Sequence, residues 1–382
     1  MPELFDAFAV VAPGLAPMVA DELFALGNRS LEVVDAGVSF AATPRDLARA
    51  NVWLRTATRV IVRLAKFEAT DFATLERKAK TVPWSRVLRK GAVVQTRVTC
   101  KKSRLYHSDA VAQRIARGIE FQIAGCRVES KTADEELEVD ANTQQPQLII
   151  VRFDHDICTI SADSSGALLH RRGWRQAVAK APLRETLAAA LVTASGWDAR
   201  QPLVDPFCGS GTIGIEAALK ARNIAPGMAR TFAMDHWPDI NAGLMNSIKR
   251  DAKAEARPQA ELRIMLSDRD AGACAAARAN AERAGMLDCI EIETQSLSET
   301  ELPKIAATGF VVTNPPYGVR VAGAQDLRSL YQRLGDVMRE GGKGWHLTLL
   351  AAERAMAAQT RLQLHMKLRT TNGGLPVFIE GN

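Results

Sequence analysis

Apolar and polar positions alternate differently in the two halves of the chain. Near the start, residues 5–11 read as a strand. Residues 16–26 read as a helix with Val19, Leu23 and Leu26 on one face and Gly27 at its end. Residues 33–40 read as another strand, a helix starts over 47–50, and 59–67 alternate as a strand does. This order predicts a small α+β unit over residues 1–66. A second unit is predicted over 67–165. It has helices at 72–81 and 108–119 and strands at 93–98, 148–153 and 157–162, the last two joined across Asp154-His155-Asp156. Residues 141–147 read as a polar loop around Pro146. Residues 166–184 read as a linker, after which Pro182 suits the first turn of a helix over 183–194.

From about residue 200 the pattern becomes a strand–helix alternation. Strands are predicted at 203–205, 262–266, 290–294, 310–313 and 345–350, with helices at 213–221, 271–284 and 327–338. Residues 223–258 read as an inserted loop plus helix. Such a series implies an α/β domain over 185–382, a parallel sheet covered on both faces. Asn372-Gly373 signals a hairpin between two final strands, which makes that sheet edge antiparallel.

Composition narrows the picture only modestly. The chain has 382 residues, 47% of them hydrophobic and 24% charged, too long for one ordinary domain and too apolar for a disordered one. A formal charge of +6 is a weak pointer to a polyanionic partner. Six scattered cysteines form no C-x-x-C pair and have no histidine cluster beside them, so no metal site is expected. The opening residues lack a basic segment followed by a long apolar one, and no apolar run reaches about 18 residues. The expectation is therefore a cytoplasmic chain without a membrane span.

Two motifs carry the candidate chemistry. The first is Asp205-Pro206-Phe207-Cys208-Gly209-Ser210-Gly211-Thr212, between a strand and a helix. Its glycines allow close backbone approach, and the helix start offers free N–H groups to a ligand. It lacks the Gly-Lys-Ser/Thr ending of a phosphate loop. Asp268 and Asp270 end the next strand. Asp268 is expected to take ribose hydroxyls, and Asp270 to cap the following helix.

The second motif is Asn314-Pro315-Pro316-Tyr317-Gly318, at the carboxyl end of strand 310–313, where ligands of open α/β sheets bind. The prolines fix the backbone. The Asn314 side-chain oxygen and the Pro315 carbonyl can both accept from one NH2 group, and Tyr317 offers a face for stacking. Together these parts can make an aromatic amine nucleophilic.

With both motifs present, the chain resembles the class I RNA methyltransferases that carry an N-terminal THUMP domain, and among them the bacterial 23S rRNA guanine-N2 methyltransferases. Asn51-Val-Trp-Leu-Arg-Thr-Ala-Thr-Arg-Val60, Leu169-His-Arg-Arg-Gly-Trp-Arg175 and Ala181-Pro-Leu-Arg-Glu-Thr-Leu187 carry the resemblance through the rest of the chain. It implies a ferredoxin-like subdomain over 1–66, a THUMP RNA-binding domain over 67–165, a basic linker over 166–184 and a Rossmann-like methyltransferase domain over 185–382. It also implies S-adenosyl-L-methionine held by residues of the first motif (Asp205, Pro206, Phe207, Gly209, Ser210, Gly211 and Thr212), by Asp268 and by Asn314. Base contacts are implied for Asn314, Pro315, Pro316 and Tyr317. Where the family usually places an acid for the adenine amine, this chain has Ser296, whose hydroxyl can still accept a bond.

Charge distribution then points to RNA. Nine Lys or Arg lie between Arg86 and Arg117 with Asp109 as the one acid, and the linker is basic throughout. Lys101, Lys102, Arg104, Arg171, Arg172 and Arg175 are the expected phosphate contacts. The expected partner is structured RNA, 23S rRNA or a ribosome assembly intermediate, with the target base extruded into the pocket and its nitrogen attacking the methyl group in line. Alternatives are a tRNA guanine-N2 methyltransferase, a DNA amino-methyltransferase and a non-catalytic RNA-binding assembly factor.

Overall fold

The computed structural model describes residues 4–130, 145–176, 183–257, 263–317 and 324–382. The expectations for residues 141–144, Lys180, Pro182, residue 262 and Gly318 lie outside them. The chain divides into two compact units. One comprises Met1–Val10, Val19–Leu169 and Arg230–Asp251, and the other Val11–Met18, His170–Ala229 and Ala252–Asn382.

The first unit begins with β1 (Phe5–Val11), α1 (Ala16–Ala25), β2 (Leu31–Val34), β3 (Gly37–Ala42), α2 (Pro44–Trp53) and β4 (Ala57–Glu68). The spatial order β2-β3-β1-β4 makes this a ferredoxin-like βαββαβ arrangement. The single strand expected over 33–40 is a hairpin, β2 paired antiparallel with β3. Asp35 and Ala36 break the alternation, and at Gly37 a Cβ would stand 2.0 Å from the Ala9 carbonyl oxygen. No side chain fits so close to β1. Helix α2 starts earlier than expected. Thr43 caps it, accepting from the Asp46 N–H while Asp46 returns a bond to the Thr43 N–H.

The sheet then continues. After α3 (Phe72–Ala79) come β5 (Val93–Lys101), α4 (Ser108–Gln122), β6 (Arg127–Ser130), β7 (Gln147–Asp154) and β8 (Ile157–Asp163). Strand β8 pairs antiparallel with β4, giving one eight-stranded sheet, β2-β3-β1-β4-β8-β7-β5-β6. Strand β6 is short and polar, so alternation did not reveal it.

Below this junction lies a buried polar knot. Asn51 Nδ2 donates to Ser164 Oγ at 2.9 Å, and Asn51 Oδ1 accepts from Ser165 Oγ at 2.6 Å. Ser165 Oγ in turn accepts from the Val60 N–H, and Ser164 Oγ donates to the Val60 carbonyl. Arg59 pairs with the buried Asp163 at 2.5 Å. The Arg230 guanidinium binds the carbonyls of Ser165, Ala167 and Leu168.

The second unit holds α5 (Glu185–Ser195), β9 (Leu203–Asp205) and α6 (Thr212–Ala221). Then α7 (Leu244–Ala254), mostly in the first unit, precedes β10 (Ile264–Asp268), α8 (Ala271–Arg283), β11 (Ile290–Thr294), α9 (Leu302–Ile305), β12 (Gly309–Thr313), α10 (Ala324–Gly341), β13 (Trp345–Ala351), α11 (Arg354–Ala357), β14 (His365–Asn372) and β15 (Leu375–Gly381). The sheet order is β11-β10-β9-β12-β13-β15-β14, a Rossmann-like arrangement. Strands β9 to β13 are parallel, while β15 is antiparallel to both β13 and β14, as the hairpin signal implied.

Helix α10 buries Tyr331, Leu334, Val337 and Met338, the spacing of one helical face, against Val311, Leu347 and Leu349 of the sheet. Helix α6 is buried along most of its length because Gly214 lets it approach Leu266 of β10, where a Cβ would come within 2.6 Å. Chain order reverses between β9 and β12, and that switch point opens a crevice at the strands' carboxyl ends. No helix among the described residues is long and apolar enough to cross a membrane.

Asn51→Ala leaves buried partners in the polar knot unsatisfied. We expect a loss of about 1–3 kcal/mol, read as a lower denaturant midpoint with an unchanged m-value; an unaltered midpoint would show that the knot adds nothing to stability.

Candidate active site

At the switch point β9 ends in Asp205, which is 1% exposed. Its Oδ1 accepts from Thr313 Oγ1 at 2.6 Å and from the Phe207 N–H at 3.2 Å. Its Oδ2 is buried and has no partner among the described residues. Burial, with the nearby Asp268 charge adding to it, pushes the carboxyl up to about 7, against the pull of the two bonds. Pro206 is buried and Phe207 half-buried.

The loop turns through Gly209 (φ +51°) and Gly211 (φ +82°), conformations that favour glycine. The two glycines differ. A Cβ at Gly211 would meet Ala277 Cβ at 3.0 Å, so Gly211 is required by helix packing. A Cβ at Gly209 would meet nothing within 4 Å, so that side of the loop is open. Buried Asn280 of α8 donates to the Ser210 carbonyl at 3.1 Å and so pins the turn.

Asp268, at the end of β10, accepts from the Gly209 N–H and the Asp270 N–H, both at 3.0 Å. A carboxylate has about four acceptor positions, so both oxygens can still take hydroxyl donors. Asp270 caps α8 through the Gly272 and Ala273 N–H groups. Ser296 lies two residues past β11. Its hydroxyl and N–H both donate to Glu299, in a capping arrangement. Asn314 follows β12 directly. Its side-chain oxygen is buried and lacks a partner among the described residues. Pro315 is buried, and Pro316 and Tyr317 are half-buried. The Tyr317 hydroxyl accepts from Asn372 Nδ2 at 2.8 Å. The arrangement thus presents two buried carbonyl-type oxygens, Asp205 Oδ2 and Asn314 Oδ1, beside a glycine turn with open space on one face.

Comparison with known proteins identifies the family. The model of the RMKL-like methyltransferase domain matches residues 172–377, and that of the RlmL ferredoxin-like domain matches residues 6–61. The chain belongs to the RMKL-like methyltransferase family. It is 34% identical over 97% of its length to slr0064 of Synechocystis sp., provisionally named an RNA methyltransferase, and covers 94% of that protein. It is 33% identical to the ribosomal RNA large subunit methyltransferase K/L of Syntrophotalea carbinolica over 96% of this chain, but spans only about half (52%) of that relative's length. Among solved structures it is similar to SMU.472, provisionally named a methyltransferase and crystallised with S-adenosylhomocysteine. There the TM-score is 0.85 at 27% identity, with 100% of this chain and 98% of that one covered.

The RMKL-like frame also shows where the basic residues go. Lys101, the last residue of β5, and Lys102 and Arg104 on the loop after it are exposed, and this end of β5 is bound to the β7–β8 turn by the Arg104 N–H to Asp156 and the His155 N–H to the Lys101 carbonyl. Arg171 is half-buried. Arg172 and Arg175 depart from expectation because both turn inward. Arg172 is 2% exposed and pairs with the buried Glu216 of α6 at 3.3 Å. Arg175 Nε stands 3.0 Å from Glu185, and its Nη2 donates to Thr212 Oγ1 and the Leu183 carbonyl. These two arginines lock the segment after residue 170 to α5 and α6 through Glu216, Glu185 and Thr212. Sequence reasoning also missed Thr313, Asn280 and Asn372. Only Asn372 carried a local signal, and that signal was for a turn.

Arg172→Ala leaves Glu216 charged and buried. It should cost about 3–5 kcal/mol, seen as a fall in thermal midpoint. The slope of log affinity for a polyanion against log salt should not change; a shallower slope at full stability would return Arg172 to a binding surface.

Proposed function

We propose that the protein is an S-adenosylmethionine-dependent RNA methyltransferase that forms N2-methylguanosine in 23S rRNA. The observation that carries the reading is the buried Asn314 oxygen at the carboxyl end of β12, which has no partner among the described residues. A buried acceptor without a donor costs stability, about 1–3 kcal/mol, and such a cost is retained where a ligand supplies the donor. An exocyclic NH2 group is a fitting donor, because the Pro315 carbonyl can take its second hydrogen. The two acceptors hold the amine and draw its lone pair out of ring conjugation, and Tyr317 offers a face for the ring to stack on.

The cofactor residues fit the same reading. Asp205 Oδ2 is an acceptor in waiting, Asp268 can take ribose hydroxyls, and the open face of Gly209 leaves room for a ligand. When bound, the cofactor supplies an electrophilic methyl group. No strong base is needed on the chain, since transfer of the methyl group leaves the nitrogen as an ammonium that is far more acidic than the neutral amine and gives up its proton readily. Catalysis is then positioning and exclusion of water.

For the substrate, the exposed Lys101, Lys102 and Arg104 favour a polyanion, and Tyr106 beside them is 68% exposed. We assign residues 1–66 to a ferredoxin-like subdomain, 67–165 to a THUMP RNA-binding domain, 166–184 to a linker and 185–382 to the methyltransferase domain. The K/L relatives, named for large-subunit ribosomal RNA, support that RNA as the substrate. Guanine N2 rests on the resemblance to the guanine-N2 methyltransferases.

The test is methyl transfer from tritiated cofactor to 23S rRNA, tRNA and duplex DNA, followed by nucleoside analysis. N2-methylguanosine in 23S rRNA is expected, and Asn314→Ala should lower transfer at least about a hundredfold while cofactor affinity holds. Label in N6-methyladenosine or in DNA would overturn the substrate assignment, and wild-type transfer by Asn314→Ala would overturn the clamp. A second outcome follows from Asp205, whose free carboxyl sits at about 7. A cationic sulfonium ligand favours the carboxylate, so binding releases a proton below that pH. Affinity for the cofactor should rise with pH up to about 7 and then level. Asp205→Asn should flatten the profile measured by calorimetry; a profile equally flat in the wild type would contradict the assignment.

A further inference from the structure

We propose that Asn372, at the tip of the terminal hairpin, is a positioning residue that sets the plane of the Tyr317 ring against which the target base stacks. The inference rests on the reading of Asn314–Tyr317 as the amine clamp and adds a part from a strand about 55 residues further along the chain.

The two prolines fix the backbone leading to Tyr317, but the ring lies two side-chain torsions beyond it and neither proline restrains those. The restraint comes from across the sheet edge. Asn372 Nδ2 donates to the Tyr317 hydroxyl at 2.8 Å.

Strand register explains how Asn372 arrives there. Strand β15 runs antiparallel to β13 with Phe378 opposite Ala351, the last residue of β13. The first residues of β15, from Leu375, therefore extend beyond the carboxyl end of the parallel strands. Asn372 pairs with Leu375 across Gly373 and Gly374, whose φ values of +57° and +85° suit a tight two-residue turn. The hairpin tip thus returns to the edge at which β12 delivers Asn314. Helix α10 contributes Tyr331, 1% exposed, whose hydroxyl has no partner among the described residues. Burial raises the pKa of that hydroxyl, and the Tyr317 phenol adds to the rise.

If the bond merely fastened the hairpin, its loss would lower stability and leave turnover alone. If it sets the ring, its loss lowers turnover, and removing it from either side has one effect. Asn372→Ala and Tyr317→Phe should each reduce kcat on RNA by about five- to tenfold, the scale of one hydrogen bond. The double variant should fall no further than either single one. Cofactor affinity and thermal midpoint should match the wild type. Asn372→Asp should return kcat to within about twofold of wild type, because a carboxylate can accept from the phenol O–H and restore the link with its polarity reversed.

Wild-type kcat in Tyr317→Phe, multiplicative losses in the double variant, or Asn372→Asp as slow as Asn372→Ala would each overturn the proposal. Should Asn372→Ala fail to fold, Tyr317→Phe breaks the same bond from the other partner and decides alone. Asn314→Ala is assayed in parallel. Full activity there sinks the clamp itself, whereas its loss beside an unimpaired Asn372→Ala sinks only the positioning role.

Discussion

The hydrogen bond from Thr313 to Asp205 joins the ends of two parallel strands where the order of the sheet reverses. Asp205 also receives the Phe207 N–H, so one carboxylate fixes both the start of the glycine turn and the end of β12. Asn314 follows Thr313 directly, and its position along the crevice is inherited from that bond. Burying the carboxylate is costly. The two bonds offset part of the cost and leave one oxygen without a partner among the described residues.

Away from the crevice, each unit spends buried polar groups on fixing how its segments meet. In the first unit, Asn51, Ser164 and Ser165 tie α2 to the residues following β8. In the second, Arg172 and Arg175 tie the segment after residue 170 to Glu216 and Glu185. Burial pushes Glu185 up to about 7 against the pull of Arg175, which shows how far desolvation weighs against pairing at such a site. Apolar contacts alone would hold these segments as tightly but in less certain register. Arg175 also bonds Thr212 at the start of α6 directly.

The sequence made the two chemical motifs legible because each is contiguous and each follows a strand visible by its apolar run. Asp205 to Thr212 and Asn314 to Tyr317 could be placed at strand ends from the sequence alone, and the antiparallel edge followed from Asn372-Gly373. What stayed hidden depends on distant partners. Thr313 reads as an ordinary strand residue until Asp205 lies beside it, and Asn280 is one polar position in an alanine-rich helix until the Ser210 carbonyl comes within 3.1 Å. Arg172 and Arg175 of the basic linker were misjudged for the same reason. A charge run looks solvated when its counter-ions, here Glu185 and Glu216, sit on other helices. The β2–β3 hairpin was missed because Val33 and Phe40 continue one apolar pattern across a turn whose decisive residue is a single glycine.

The pairing of β4 with β8 has a consequence for how the amino-terminal half can be handled. Seven pairs of residues run along that seam, from Ile61 with Asp163 to Glu68 with Ile157. A fragment cut near residue 66 would bare two long, unpaired strand margins, one on each piece. Bared margins of this kind invite neighbouring molecules to add on. The two sequence modules of this half thus behave as a single folding partnership, and neither is a natural place to begin or end a truncated protein.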